Sequence, residues 1–369
     1  MAYGTVNADV IQTSTSGGVL GAGNASIMKN RLINGAFVID QRNAGASVNN
    51  DTGGTQYTLD RWFIYGTQAS KFSVQQNAGS VTPPVGFSNY FGATSLSAYS
   101  VGSTDFFNII QRIEGFNTAD LNWGTANAKT VTLSFWVRSS LTGTFGGVLL
   151  NGAADRSYPY SYTISSANTW EQKSVTIAGD TSGTWVGSTN GTGMQVRFGM
   201  GSGATYTTTA NAWASGFYNQ PTGSVNVVGT NGATFYITGV QLEVGSSATG
   251  FEYRLYNQEL SACQRYFEKS YNQNEAVGAS GVLAFRVYVT PFVGNEYSAS
   301  LYFKVSKRTA PTMAYYTNGG TPNVWVALPS ASNRTPTTNT VGENSFEISV
   351  ASVTADSTLQ GSWTASAEL

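Results

Sequence analysis

Histidine is absent from this 369-residue chain, and there is one cysteine, Cys263. Without imidazole there is no Ser-His-Asp or Cys-His nucleophilic scheme and no histidine-built metal site. One thiol excludes an intrachain disulfide and a cysteine-built zinc site. Charge is scarce at 11% and balanced to a net −1, so there is no basic field for nucleic acid and no polybasic membrane anchor. No run approaches the roughly 20 apolar residues of a membrane span, and no membrane insertion is expected. The start, MAYGTVNADVIQTSTSGG, lacks the basic and apolar stretches of a signal peptide, which implies synthesis in a cytoplasm.

What is present is glycine (42 residues), aromatic residues (13%) and many Ser, Thr and Asn. Aromatic and β-branched residues suit pleated, half-buried surfaces, and Gly and Asn suit tight turns. The composition is that of an all-β protein with many short strands.

Residues 1–28 read as an extended arm, since TSTSGGVLGAGNAS holds too few large apolar groups to bury a core. From 29 to 253 short alternating strands predict a sandwich. In VTLSFWVR, Val131, Leu133, Phe135 and Val137 share one face; Met194, Val196 and Phe198 do so in MQVRF. In FYITGVQLEV the apolar parity slips at Gly239, where a β-bulge would absorb one residue. A linker helix is predicted within 254–272, with Tyr256, Leu260, Cys263 and Phe267 on one stripe and Asn257 as N-cap. Cys263 on that stripe reads as a buried, inert thiol. From 273 to 369, FRVYVT, LYFKV and FEISV predict a second, small β-sandwich, with Pro311 at a strand start or edge.

Three constellations bear on chemistry. GMGSGA (199–204) formally fits a dinucleotide loop, but TYTTTANAW follows instead of a helix, so it reads as a sandwich loop. The acids Asp60, Asp105, Glu114, Asp120, Asp155, Glu171, Asp180 and Glu243 are scattered, and a solvated or ion-paired role is expected ahead of a hydrolytic pair. In TYTTTANAWASGFYNQ, Tyr206, Trp213 and Tyr218 could form a carbohydrate platform, since sugars offer C–H faces to rings and hydroxyls to amides. The favoured reading is that Trp213 and Phe217, four apart, pin this loop to the sandwich. No catalytic residue, metal or cofactor is expected.

NRLINGAFVIDQRN, YTLDRW, VTLSFWVRSSLTGTFGG, ANTWEQKSVTIAGDTSGTW and FYITGVQLEVGSSATGFEYR, followed by ELSACQRYFEKS, resemble tail-fibre proteins of tailed bacteriophages. Asn34-Gly-Ala-Phe37, Asp60-Arg-Trp62 and Gly239-Val-Gln-Leu-Glu243 are also similar to carbohydrate-binding jelly rolls of the galactose-binding type. The resemblance implies an all-β virion component: a jelly-roll β-sandwich, a short linking helix and a second β domain. It implies a homotrimer, attachment to other virion proteins through residues 1–28, and recognition of a host-surface glycan. A head fibre or capsid decoration is the alternative position, and a glycan hydrolase a further one. Such jelly rolls often hold a structural calcium, here near Asn34 and Glu243, but Ala36 and Val38 stand where an acidic ligand is expected, so no ion is predicted. The helix, with Tyr256, Leu260 and Phe267, is the expected hinge and subunit contact.

Overall fold

The computed structural model describes residues 10–12, 19–21, 29–281, 285–288, 290–292, 296–351 and 358–369. The expected arm lies largely outside them; within it, Val10–Gln12 pairs antiparallel with Val19–Gly21.

The first unit is a jelly-roll sandwich. Its main strands are β1 (Trp62–Gly66), β2 (Phe72–Gln76), β3 (Phe91–Ser95), β4 (Phe106–Glu114), β5 (Val131–Ser139), β6 (Gly143–Asn151), β7 (Arg156–Ile164), β8 (Glu171–Ile177), β9 (Thr192–Ser202) and β10 (Thr234–Val244). One sheet runs β7-β6-β9-β4-β1, with Ala214–Ser215 and Gln56–Tyr57 as short edges. The facing sheet runs β8-β5-β10-β3-β2, with Val48–Asn49 at its edge. Successive strands switch repeatedly between sheets, so the core is shared by distant parts of the chain.

The alternating residues meet as expected. Val131, Leu133, Phe135 and Val137 face Met194, Val196, Phe198 and Met200 within one continuous core. Phe135 meets Phe198 edge-on at 5.0 Å and Tyr162 at 4.9 Å. Burying such side chains contributes roughly 1.5–3 kcal/mol each, the main force holding the sheets together. The bulge also falls where the parity slips. β10 shifts register against β5 between Thr238 and Gln241, and Gly239 sits at φ +61°. A Cβ there would lie 2.5 Å from the Phe87 ring, so glycine answers both the backbone and the space.

Helix α1 (Tyr256–Gln264) is shorter than its apolar stripe predicts. Leu255 occupies the cap position, donating its N–H to Gln258 Oε1 at 3.3 Å, and Asn257 lies inside the first turn. Phe267 is not helical. It opens strand β11 (Phe267–Lys269), which pairs with Ser366–Thr364 of the second unit. The helix buries Glu259, Cys263 and Gln264, leaving Tyr256 exposed and Leu260 half-buried. The stripe fails because a sheet partner captures the chain at Phe267, whose ring lies 3.7 Å under the Arg42 guanidinium.

The second unit is a smaller sandwich built on β11, β12 (Phe285–Tyr288), β13 (Glu296–Tyr302), β14 (Thr312–Tyr316), β15 (Trp325–Leu328), β16 (Thr337–Val341), β17 (Ser345–Ala351) and β18 (Thr358–Ser366). β18 is the hub, pairing with β11, β12, β14 and β15; β13, β17 and β16 form the facing sheet. Trp325, Ile348, Leu359 and Trp363 lie in its core. Pro311 immediately precedes β14, the strand-start position that needs no ladder N–H.

The two units are locked together. Arg265 forks onto Glu114 at 2.6 and 3.0 Å, and the Tyr266 hydroxyl donates to the same carboxylate at 2.6 Å. Glu368 pairs with Arg42 at 3.0 Å and with the buried Arg61. Tyr57 Oη donates to the Leu369 carbonyl at 2.8 Å. The helix therefore joins units already clamped by buried charge, rather than serving as the expected hinge.

Candidate carbohydrate-binding surfaces

The aromatic segment offered as a possible sugar platform packs against the sandwich. GMGSGA is not a loop: its first four residues end β9, and a single 3-10 turn, Ala204–Tyr206, follows. The chain then crosses the outer face of the seven-stranded sheet. Tyr206 meets Phe106 at 4.9 Å and Phe217 at 5.5 Å, both edge-on, while Phe106 stacks on Tyr65. Trp213 belongs elsewhere. It packs edge-on against Trp123 at 5.3 Å and Trp185 at 5.6 Å, and donates its indole N–H to the Ala178 carbonyl at 2.8 Å. Tyr218 is half-buried, its backbone N–H on Ser157 Oγ. Among the described residues no ring contact joins Tyr206, Trp213 and Tyr218. Trp213 and Phe217 both hold the crossing segment down, the alternative that their spacing allowed.

This crossing seals the sheet face. Arg197 lies buried beneath it, its guanidinium on Gln195 Oε1 (2.8 and 3.2 Å) and Asn219 Oδ1 (2.9 Å), with the Phe217 ring 5.0 Å away. At the β4–β1 end the second unit completes the cover, with the Arg112 guanidinium on the Leu369 carbonyl and the Phe63 ring. The outer face of the seven-stranded sheet is therefore closed to a ligand.

The eight acids hold structure together. Asp120 takes both arms of Arg31 at 2.6 and 2.8 Å, and Asp180 those of Arg156 at 2.7 and 2.8 Å. Glu114 takes Arg265, Glu171 takes Lys173 at 2.6 Å, and Asp60 takes Gln41 N and Nε2, both at 2.6 Å. Asp155 accepts from Asn151, Glu243 from Gln241 and Thr249, and Asp105 from Tyr99 and Thr67.

The neighbourhood implied for calcium does not fit an ion. Asn34 spends its side chain on Ile39 N and O and on the Asp60 carbonyl. The oxygens that do converge nearby receive a side-chain cation. The Arg254 guanidinium donates to the Asn30 and Leu32 carbonyls and pairs with Glu252 at 2.9 Å and Glu259 at 3.5 Å. Among the described residues no group of three or more His, Cys, Asp or Glu could hold a metal.

Four tyrosines stand exposed, of which the sequence pointed only to Tyr256, as a subunit contact. Tyr253 is 61% exposed, Tyr256 50%, Tyr288 86% and Tyr302 77%. Tyr256 lines an open groove of about 310 Å³ at the seam, and Tyr288 one of about 390 Å³ on the second unit with Arg286 and Thr358. Alternation placed Tyr288 and Tyr302 on outward faces; nothing local marks which outward rings border a concavity.

No family model matches the chain, and no curated protein matches it. Among solved structures it is similar to the enzymatically active domain of bacteriophage CBA120 tailspike protein 4, at 13% identity over 58% of this chain and 21% of that one, TM-score 0.32. It is also similar to the family 11 carbohydrate-binding module of Clostridium thermocellum in complex with a mixed-linked tetrasaccharide (10% identity, 55% and 98% coverage, TM-score 0.27). A third is the CBM22-1 xylan-binding domain from Paenibacillus barcinonensis (8%, 56% and 99%, TM-score 0.27). The chain spans about a fifth of the length of the tailspike chain it matches.

Proposed function

We propose that this chain is a non-catalytic structural subunit of a tailed-phage virion, a tail fibre or spike that presents its β units to host-surface glycans. The observation that carries glycan recognition is the set of half- to fully exposed tyrosines on a clamped, weakly charged pair of sandwiches. Tyrosine combines an apolar ring face with a polar hydroxyl, and fixing few rotatable bonds costs little entropy on binding. The eight acids support a binding rather than hydrolytic role, because each is engaged in internal hydrogen bonds or ion pairs. The virion assignment rests on the ordered motifs between residues 29 and 270. Residues 1–28 would attach the subunit to other virion proteins.

A homotrimer remains part of this reading, through Leu260; Tyr256, expected beside it, lines the open groove at the seam and is left out of that contact. Phe267, expected beside them, is buried in its own chain and drops out of that contact. The lack of long repetitive shaft sequence supports a second position, a head fibre or capsid decoration. Cryo-electron microscopy of particles carrying the protein tests both. Density for the two sandwiches projecting from the tail supports the fibre or spike; density lying across capsomers supports decoration; absence from the particle overturns both. Binding of the intact chain to a glycan array tests recognition.

A further inference from the structure

We propose that the groove at the seam between the two units is the glycan site, and that it takes the neutral end of an oligosaccharide. This assignment rests on the glycan-recognition reading above and gives it a place and a ligand class.

The groove is walled from the first unit by Asp40 and Gln76, from the joining helix by Tyr256 and from the second unit by Gln273 and Asn274, with Val38 and Ala44 completing it. Its volume of about 310 Å³ suits one or two sugar rings and falls at the small end of ligand pockets. The residue types match a sugar's two surfaces. Tyr256 offers a half-exposed ring for the C–H face of a pyranose. A carboxylate and three amides border the same space and can meet its hydroxyls.

The polar wall is held in place before any ligand arrives. Asp40 accepts from Asn43 N at 2.9 Å and Gly45 N at 2.7 Å, one bond to each oxygen. An ionised carboxylate has about four acceptor positions, so these bonds orient it and leave further lone pairs for hydroxyl donors. Gln76 Nε2 is fixed on the Phe37 carbonyl at 2.6 Å. On the other side, Lys269 Nζ donates to the Gln273 carbonyl at 3.2 Å and to that of Glu275. Val277 N donates to the Arg42 carbonyl at 3.2 Å, tying the 272–277 loop to the 40–45 turn across the seam. Preorganised donors and acceptors lose little entropy on binding, which is how a small contact area gains affinity.

The charge pattern selects the class. Asp40 is the one charged residue lining the groove. The nearby Lys269 ammonium is buried and turned to backbone carbonyls. A sialic or uronic acid would bring a carboxylate towards Asp40 with no cation to receive it, whereas hexoses and N-acetylhexosamines bring only donors, acceptors and C–H faces.

The test uses the full chain on an array of neutral, sialylated and uronic-acid oligosaccharides, followed by calorimetry with the best binder. The wild type is expected to bind neutral glycans. Tyr256→Ala should weaken binding about tenfold or more, as loss of a stacking ring at a small site does. Asn274→Ala, on an exposed side chain, should weaken it less. Asp40→Asn should weaken it too, read only if its melting temperature shows the 40–45 turn intact. Tyr288→Ala, in the other groove, should leave it unchanged. Glycan binding that survives Tyr256→Ala and Asn274→Ala at full strength overturns the seam site while leaving glycan recognition standing. Binding confined to acidic glycans overturns the ligand class. No binding to any glycan overturns the recognition reading, and this site with it.

Discussion

Arg61 and Glu368 lie 307 residues apart in the chain and form an ion pair with both side chains buried. The Arg61 guanidinium is also 3.5 Å over the Tyr266 ring and donates to the Arg112 carbonyl at 2.7 Å. Arg42 reaches the same carboxylate from the other side. Removing one partner of a buried pair leaves the other charged in a dry site, at about 3–5 kcal/mol. Glu368→Ala is therefore expected to lower stability by that order and to uncouple the units. Calorimetry is expected to show one melting transition for the wild type and a shifted, broadened or split one for the variant. An unchanged transition would mean that the pair does not hold the units together.

Gly239 carries a second prediction. Gly239→Val must adopt φ near +61° and displace the Phe87 ring, which itself packs on Phe251 at 5.2 Å and Tyr253 at 5.7 Å. A loss of about 1–3 kcal/mol is expected in urea unfolding. Gly53, at φ +66° and with no neighbour within 4 Å of a Cβ, separates the two causes: Gly53→Val should show only the backbone part.

The Arg254 guanidinium fills the oxygen cluster nearest the neighbourhood implied for calcium, which predicts a jelly roll that needs no ion. The melting temperature of the wild type should be the same in calcium and in chelator. Arg254→Ala leaves Glu252 and Glu259 without their cation beside two bare carbonyls. It should be destabilised, with millimolar calcium restoring part of the loss, because a hard cation suits such oxygens. Calcium dependence of the wild type would contradict the guanidinium's role.

Trp213→Ala should cost stability rather than specificity. It removes one ring of the Trp123–Trp185–Trp213 cluster and the hydrogen bond to Ala178. About 2–3 kcal/mol is expected, from the area uncovered. Glycan affinity of the folded variant should match the wild type.

Asp105 predicts acid sensitivity. Burial alone would raise its carboxyl, but donors from Tyr99 (2.6 Å), Thr67 (2.9 Å), Gly102 N (3.0 Å) and Gln68 (3.3 Å) outweigh it and hold the pKa below the ordinary value. With the folded pKa depressed, its contribution is complete above the unfolded carboxylate range, near 3.9, and is lost as pH falls through the folded value. Asp105→Asn should lower stability at neutral pH by about 1–2 kcal/mol and flatten the pH dependence below about 4. An acid-unfolding series on both proteins measures this directly.

The all-β class, the core faces of β5 and β9, the bulge at Gly239 and the buried thiol of Cys263 were legible because each depends on local alternation or on one residue's own geometry. The helix end was not. Tyr256, Leu260 and Phe267 obey a helical period, yet Phe267 leaves the helix because Ser366, 99 residues away, offers it a ladder. That Trp213 and Phe217 pin the 206–218 segment was legible from their spacing, but their partners were not, since Phe106, Trp123 and Trp185 reach it from elsewhere in the chain.

The sequence by itself determined the strand pattern, the absence of imidazole and thiol chemistry, and the low charge, because these are properties of composition and of neighbours along the chain. Only the tertiary structure decided that the broad sheet face is sealed, that Arg254 takes up the oxygens near the first strands, and that Asp40 and Tyr256 border one groove. Each of these depends on side chains brought together from separate parts of the chain, and alternation within a strand says which face a residue takes, not which distant partner covers it.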